Sequence, residues 1–259
     1  MLIGKLHPGS GIGDQLFSYI TTRTIALDKG YDFGFVGKEY FKGKDFMNLD
    51  WGLNLESVEY HIEQSSGKLI LDQPAGKVFE FNKPYYDPEV NFIKDGTIID
   101  GTGAQDERYW GHRLDEIREW LKVDPLYKSH RVWPWLCVIN FRGGEYTSIP
   151  ELFLLQEYWD KAIQIIFIKD SRIQFEVHTD DPITAKQFFP RFPIVSNIEK
   201  NWRAIRHAKY LILSNSAFGI FPALLNENAE CIIAPKYWAG KNVGEWRRPQ
   251  NYYKKFTYI

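Results

Sequence analysis

Four short polar runs carry residue types able to hold a phosphorylated group. The first, Gly9-Ser10-Gly11-Ile12-Gly13-Asp14-Gln15, lies between an apolar run and an amphipathic one. Glycines there let backbone N–H groups approach a ligand, and a following helix start favours negative charge. A dinucleotide fingerprint of the form Gly-x-Gly-x-x-Gly would need glycine at position 14, where Asp14 stands, and an acid there repels phosphate. Asp32 lies at about the distance of a ribose contact, but at the start of its strand. A nicotinamide or flavin site, a tight turn with Asp14 as an ordinary helix-start residue, and a ligand-facing turn of another kind are the readings open here. The second run is Asn140-Phe141-Arg142-Gly143-Gly144-Glu145-Tyr146. Its guanidinium can clamp a diphosphate through two parallel hydrogen bonds, with glycines permitting close approach. A surface arginine paired with Glu145 is the plainer alternative.

The third run, His178-Thr179-Asp180-Asp181, offers adjacent carboxylates for a sugar or base contact, or for a metal. No further His or carboxylate stands nearby at ligand spacing, which disfavours the metal. Asp181-Pro182 before an apolar stretch is also a common helix start. In the fourth run, Ser214-Asn215-Ser216-Ala217-Phe218, hydroxyls and N–H groups at a helix start form an anion pocket, or simply a cap. A serine nucleophile would need a His–acid pair, for which His178 or His207 could be argued. The Gly-x-Ser-x-Gly elbow is absent, so a hydrolase is disfavoured.

The elements around these runs alternate between strand and helix, the pattern of an α/β protein with parallel sheets. A strand is expected over Met1–Leu6 and a helix from about Asp14 to Lys29, with Leu16, Ile20 and Leu27 on one side and Gly30 as its stop. The stretch 31–96 blurs into short candidate strands at Phe33–Val36, Ser57–Ile62 and Val78–Phe81. Thr97–Asp100 reads as a strand, His112–Leu121 as a helix and Lys122–Pro134 as a linker. Beyond the linker the pattern predicts strands at Trp135–Arg142, Gln174–His178, Pro193–Val195, Tyr210–Leu213 and Glu230–Ala234. Helices are predicted at Leu152–Ile168 (with Leu155 on its apolar side), Ile183–Phe189, Glu199–His207 and Ser216–Asn226. Ligands of such sheets bind beyond the carboxyl ends of the strands, where three of the four runs fall. The expected architecture is two Rossmann-like domains, 1–128 and 129–245, facing across a cleft, with a terminal segment 246–259 packing back across it. A nucleotide-diphosphate group transferase needs this arrangement: a base contact, a phosphate clamp and a second domain for the acceptor.

Composition narrows the field. The 259 residues carry 33 acidic against 32 basic side chains, a formal net charge of −1, which argues against a general nucleic-acid or anionic-membrane binder. No run approaches the roughly 18 apolar residues of a membrane span. Lys5, His7 and Pro8 interrupt any apolar leader, so a soluble, cytoplasmic protein is expected. Two cysteines, Cys137 and Cys231, cannot form a disulfide framework or a four-thiolate zinc site, and both read as buried strand residues. Aromatics make up 16% of the chain; Tyr85, Tyr86, Tyr109 and Trp110 could stack on a sugar, although core or rim positions are the more ordinary use.

In order and spacing these motifs resemble the α-1,2-fucosyltransferases and, more widely, the GT-B-fold fucosyltransferases. Their opening motif, roughly Gly-x-Gly-Asn-Gln-Leu-Phe-x-Tyr, is similar to Gly11-Ile12-Gly13-Asp14-Gln15-Leu16-Phe17-Ser18-Tyr19. Their His-x-Arg-Arg-Gly-Asp-Tyr resembles Asn140 to Tyr146, and the similarity extends to Leu155–Ile163, Thr179–Asp181, Ser214–Phe218, Ile233–Trp238 and Asp100–Glu119. It covers residues 1–30 and about 97–240, and none is seen over 31–96. The resemblance implies an inverting, metal-independent enzyme with no cofactor beyond its donor substrate, GDP-fucose. Its acceptor would be a hydroxyl of an oligosaccharide or glycan precursor, typically galactose O2. By the same resemblance Arg142 would hold the β-phosphate, Asp180 or Asp181 the guanine or ribose, and Ser214 and Ser216 the pyrophosphate. Gly11, Gly13, Gln15, Gly144, Asn215 and Phe218 complete the expected substrate-binding set. The sequence departs from the family at Asn140, Gly143, Glu145 and Asp14, which stand for the motif's His, second Arg, Asp and Asn. Those departures make Asp14 or Glu145 the expected general base, with Arg142 and Asn140 beside them at the reacting centre.

Overall fold

The opening apolar run forms strand β1 (Leu2–Lys5), whose Leu2 and Ile3 are fully buried. It belongs to a computed structural model that describes residues 1–55, 60–63, 68–71, 77–83, 86–123, 134–237 and 253–259. The chain divides into two compact units, Met1–Asp124 and Pro125–Ile259. The expected junction near residue 128 and most of the expected linker lie outside the described residues.

In the first unit, helix α1 (Ile12–Lys29) links β1 to β2 (Phe33–Val36), which pairs with it in parallel. β5 (Val78–Glu80) and β6 (Ile98–Asp100) complete a four-stranded parallel sheet in the order β2-β1-β6-β5. Between β2 and β5 in the chain, β3 (Tyr60–Glu63) and β4 (Lys68–Leu71) form a separate antiparallel pair. The sequence expected a strand near the first and none at the second, because a two-stranded pair lacks the long apolar runs of a core sheet. Glycine at position 4 permits close packing of β1 on β2: a Cβ there would stand 2.2 Å from the Phe35 ring. α1 is buried on most sides, whereas Leu27, expected on its apolar side, is 39% exposed in the last turn. Two 3-10 turns, Glu107–Tyr109 and Gly111–Arg113, lead into α2 (Leu114–Trp120). Tyr109 and Trp110 are core residues, with the Trp110 indole donating to the Ala104 carbonyl at 3.2 Å, so neither is a sugar platform. Tyr85 lies outside the described residues.

The second unit is a doubly wound sheet. Its strands are β7 (Leu136–Phe141), β8 (Gln174–Thr179), β9 (Ile194–Val195), β10 (Tyr210–Leu213), β11 (Cys231–Ala234) and β12 (Thr257–Tyr258). All are parallel, in the order β12-β11-β10-β7-β8-β9. The chain winds outward from β7 to β9, then returns to β10 and winds the other way. The connection therefore reverses between β7 and β10, and in open α/β sheets ligands bind at that point, beyond the carboxyl ends. Helices α3 (Gln156–Lys169), α4 (Pro182–Phe188), α5 (Ile198–His207) and α6 (Ile220–Leu224) supply the crossovers. Ile139, Phe141, Trp159, Ile166, Val177 and Ile212 are at the centre of its core. Cys137 is fully buried in β7, where burial pushes its thiol pKa up, and Cys231 is half-buried at the start of β11.

Three expectations are corrected here. The helix expected from Leu152 begins at Gln156, because the N–H groups of Leu152 and Phe153 both bond to the Ile149 carbonyl in a preceding turn. Leu155, taken as an apolar-face residue, is instead the extended N-cap and is 66% exposed. The predicted Ser216–Asn226 helix is shorter, a 3-10 turn at Ala217–Gly219 running into α6. The described end of the expected terminal segment forms β12 at the edge of the second unit's own sheet, and residues 246–252 lie outside the described residues. Among the described residues no helix is long and apolar enough to cross a membrane.

Gly30 closes α1 at φ +65°, its N–H bonding to the Ala26 and Leu27 carbonyls. Open space surrounds a Cβ there, so Gly30→Ala isolates the backbone cost. The left-handed penalty, less the entropy lost from the unfolded chain, should destabilise the protein by about 1 kcal/mol in urea unfolding. An unchanged midpoint would show that the helix end relaxes into another conformation.

Candidate functional site

The carboxyl ends of β7, β8 and β10 bring the second, third and fourth sequence motifs to one end of the second unit's sheet. Arg142 leaves β7 and turns its guanidinium along two carboxylates. Nη1 donates to Asp180 Oδ2 at 2.5 Å, and Nη2 donates to Glu145 Oε1. Tyr146 stacks beneath, its ring centroid 5.3 Å from the guanidinium carbon. Burial opposes the guanidinium's charge, but the carboxylates of Asp180 and Glu145 outweigh it, so its pKa is raised. Arg142 is therefore a fixed cation.

The two glycines after it are there for space. Gly143 N–H donates to Asp180 Oδ1 at 3.0 Å, and a Cβ at this position would lie 2.6 Å from Asp181 Cβ. A side chain at this position would run into Asp181. Gly144 adopts φ +46°, and a Cβ on it would stand 2.6 Å from Asp180 Oδ2. The adjacent acids have separate duties. Asp180 holds Arg142 and the turn, while Asp181 caps α4, accepting from Thr184 N at 3.0 Å and Thr184 Oγ1 at 2.6 Å. The capping reading of this pair thus falls to Asp181. His178 is buried between Asn201 Oδ1 at 3.0 Å and Glu176 Oε1 at 2.6 Å, and Asn201 in turn donates to the Thr179 carbonyl at 3.2 Å. This network anchors the end of β8 and leaves His178 no part in a serine-nucleophile arrangement.

Across the reversal point, Ser214 N–H donates to the Asn140 carbonyl at 3.0 Å and Ser214 Oγ to Asn140 Oδ1 at 3.3 Å. Asn140, 4% exposed, forms the floor under Ser214. Asn215 Nδ2 donates to the Leu152 carbonyl at 2.9 Å, tying this turn to the one preceding α3. Ser216 caps the 3-10 turn by accepting from Phe218 N–H at 3.3 Å, and the Phe218 ring meets Trp202 edge-on at 6.1 Å. Sequence reasoning missed Gly219, where a Cβ would come within 2.8 Å of Asn140 Oδ1, and Thr184. Neither stands in a motif; each is recognisable only by what packs against it.

In the first unit, Gly11 is the N-cap of α1, Gly13 is buried in its first turn, and Asp14 beside it is partly exposed. Gln15, expected to bind substrate, is 1% exposed. Its Nε2 donates to the Tyr40 carbonyl at 2.8 Å and its Oε1 accepts from Lys42 N–H at 3.0 Å. Both ends of the amide fasten the 40–42 loop, so a role in holding the chain replaces the expected contact with ligand. A further polar cluster, which no motif pointed to, stands at the ends of β1 and β6. Asp100 accepts from Lys5 Nζ at 3.1 Å and from Gly101 N–H at 2.6 Å, and lies 2.5 Å from His7 Nε2.

No family model matches the sequence, and no curated protein matches it. The structure is similar to the crystal structure of the fucosyltransferase NodZ from Bradyrhizobium, with a TM-score of 0.51 at 14% identity, covering 89% of this chain and 94% of that one. It is similar also to the E. coli heptosyltransferase WaaC with ADP, with a TM-score of 0.50 at 12% identity, covering 100% of this chain and 92% of that one. At such identities the likeness is one of fold. The chain has the α/β fold of the GT-B glycosyltransferases, built of two Rossmann-like units.

The Asp181 cap carries a testable pH signature. Hydrogen bonds from the Thr184 hydroxyl, opposed by burial and joined by the N–H groups of Thr184, Gly144 and Ile183, hold its pKa below the ordinary 3.8. A lowered folded-state pKa contributes stability above the ordinary value and loses it as pH falls through the folded one. Urea unfolding of wild type against Asp181→Asn should therefore converge as pH drops below about 4 and separate above it. A constant gap across that range would mean that the carboxylate's charge adds nothing.

Proposed function

We propose that the protein is a glycosyltransferase whose second unit binds a nucleoside diphosphate sugar, with GDP-fucose as donor and a glycan hydroxyl, typically galactose O2, as acceptor. The observation that supports it best is the placement of Arg142 and the Ser214–Ser216 turn at the two strand ends that flank the chain reversal in the second sheet. Fold similarity to a fucosyltransferase and a heptosyltransferase supports the transferase class. The order of motifs resembling the α-1,2-fucosyltransferases supports fucose and guanine.

In this reading breaking the anomeric C–O bond leaves growing charge on the diphosphate, and catalysis consists mainly of stabilising it. Arg142 would meet the β-phosphate, with the hydroxyls and N–H groups of Ser214 and Ser216 beside it. An arginine and helix-start donors supply that stabilisation without a divalent ion, and attack from the opposite face inverts the anomeric centre. Asp181 is held by α4 and Asp180 by Arg142 and Gly143, so a contact with the ribose or base would use the remaining lone pairs of Asp180.

The electrostatics add a condition. Arg142 stands as one positive charge against the two carboxylates of Asp180 and Glu145. A diphosphate therefore has to displace one of them. Glu145 is the one to leave, since its side chain is 59% exposed against 31% for Asp180, which also accepts from Gly143. Glu145→Ala should tighten GDP binding by about two- to fivefold, the worth of one exposed ion pair, in isothermal titration. Weaker turnover with unchanged GDP affinity would instead return Glu145 to the role of base.

The donor is tested by thermal unfolding with GDP, GDP-fucose, GDP-mannose, ADP, UDP and NAD, each with and without EDTA. A ligand at about 100 times its Kd adds about 2.7 kcal/mol, which is several degrees in Tm. GDP and GDP-fucose should shift the midpoint, and the shift should survive EDTA. The heptosyltransferase structure, described with ADP, matches this fold almost as well as the fucosyltransferase does, which favours a transferase with another nucleotide sugar as the second reading. A response to ADP with none to GDP would establish it. A response to NAD alone, or to no nucleotide, would overturn the transferase reading.

A further inference from the structure

We propose that Tyr158 is a positioning residue for the nucleoside diphosphate: its hydroxyl locks the peptide from which the Ser214–Ser216 turn springs, and so aims that turn's donors at the phosphates. The inference rests on the transferase reading above. Tyr158 lies within Leu155–Ile163, one of the runs that resemble the fucosyltransferases.

The lock is a single peptide plane held at both ends. Leu213 is the last residue of β10, and its carbonyl shares a planar, rigid unit with the N–H of Ser214. On one side Ser214 N–H donates to the Asn140 carbonyl of β7 at 3.0 Å. On the other, the Leu213 carbonyl accepts from Tyr158 Oη at 2.5 Å. Turning the plane would break both bonds at once. Asn215 Nδ2, bonded to the Leu152 carbonyl at 2.9 Å, adds a tie one residue further on. Leu152 and Tyr158 both belong to the stretch that runs from Arg142 into α3. One continuous piece of chain therefore bears the arginine at its start and holds the serine turn at its end, and it sets the spacing between them.

Tyr158 suits this task because it is itself held. It packs against the core of the second unit, its ring edge-on to Trp159 with centroids 4.9 Å apart. Its N–H donates to the Leu155 carbonyl at 3.1 Å, which fixes the residue in the first turn of α3. Burial pushes the hydroxyl pKa well above the ordinary 10, so the group remains a donor across the neutral range. Hydroxyls and N–H groups fixed before binding stabilise a diphosphate without reorganisation, whereas a turn free to rock gives up part of that advantage.

The test compares wild type with Tyr158→Phe, by amide hydrogen exchange without ligand and by isothermal titration with GDP. Without its second tether the peptide opens more readily. Exchange at Ser214 should quicken by about tenfold, while Ile212, inside β10, stays within about twofold. GDP affinity should fall by about tenfold, the worth of a hydrogen bond to a charged group. Ile166→Val thins the buried face of the same helix without touching the turn, and should leave GDP affinity within about twofold. Tyr158→Met, which also lacks a donor, carries the same expectations should the phenylalanine variant fold poorly. Unchanged exchange at Ser214 in Tyr158→Phe would overturn the proposal, as would faster exchange with GDP affinity kept to within about twofold. An equal loss of affinity in Ile166→Val would also overturn it, since a softened helix would then account for the effect. A wild-type protein that binds no nucleotide fails earlier, at the transferase reading, and takes the proposal with it.

Discussion

The bond between Arg142 and Asp180 ties together the ends of two neighbouring strands, and the shape of the candidate site follows from it. For a guanidinium leaving β7 to reach a carboxylate leaving β8 at 2.5 Å, the backbone between has to lie flat against the acid. Gly143 and Gly144 meet that requirement, one by admitting Asp181 and the other by turning at positive φ beneath Asp180. The same closeness leaves Asp181 turned toward α4, where it caps the helix, and brings Gly143 N–H onto Asp180. Replacing either glycine moves the acid, and with it the arginine. The cation is thus fixed before any ligand arrives, and such preorganised charge is the kind that stabilises a leaving group most effectively.

Much of the fold was legible because buried parallel strands are written as unbroken apolar runs. Cys137–Phe141 and Tyr210–Leu213 are almost fully inaccessible, and each is followed by polar residues at its carboxyl end. Gly30 marked the end of α1 correctly because a left-handed closure is a local event. Errors arose where local pattern and tertiary packing diverge. Leu155 carries the right residue type for an apolar face but sits at a cap, and Leu27 closes a helix whose buried stretch ends with Ala26. The edge strand β12 is two residues long and too short to show any periodicity.

The site shows the same division. The residue types at positions 142–145, 180–181 and 214–218 suggested a ligand site, and the structure gathers them at one end of the sheet. Their partnerships were not legible. Arg142 and Asp180 are 38 residues apart, and His7 and Asp100 are 93 apart; pairs so distant are created by strand order, which no local spacing encodes. Gln15 is the instructive failure. Its position in a motif suggested a ligand, whereas its burial and its two backbone partners make it a fastener for the 40–42 loop. An amide in a glycine-rich turn satisfies a loop as readily as a substrate, and only the partners tell the two apart.

The central claim is that the reversal point between β7 and β10 is a nucleoside-diphosphate site built on Arg142. Amide NMR of the labelled protein titrated with GDP tests it most directly. The account predicts saturable shifts concentrated at Gly143–Tyr146 and Ser214–Phe218, with Arg142→Lys abolishing most of them while Tm is retained. Shifts confined to residues elsewhere, or a titration that Arg142→Lys leaves untouched, would contradict it.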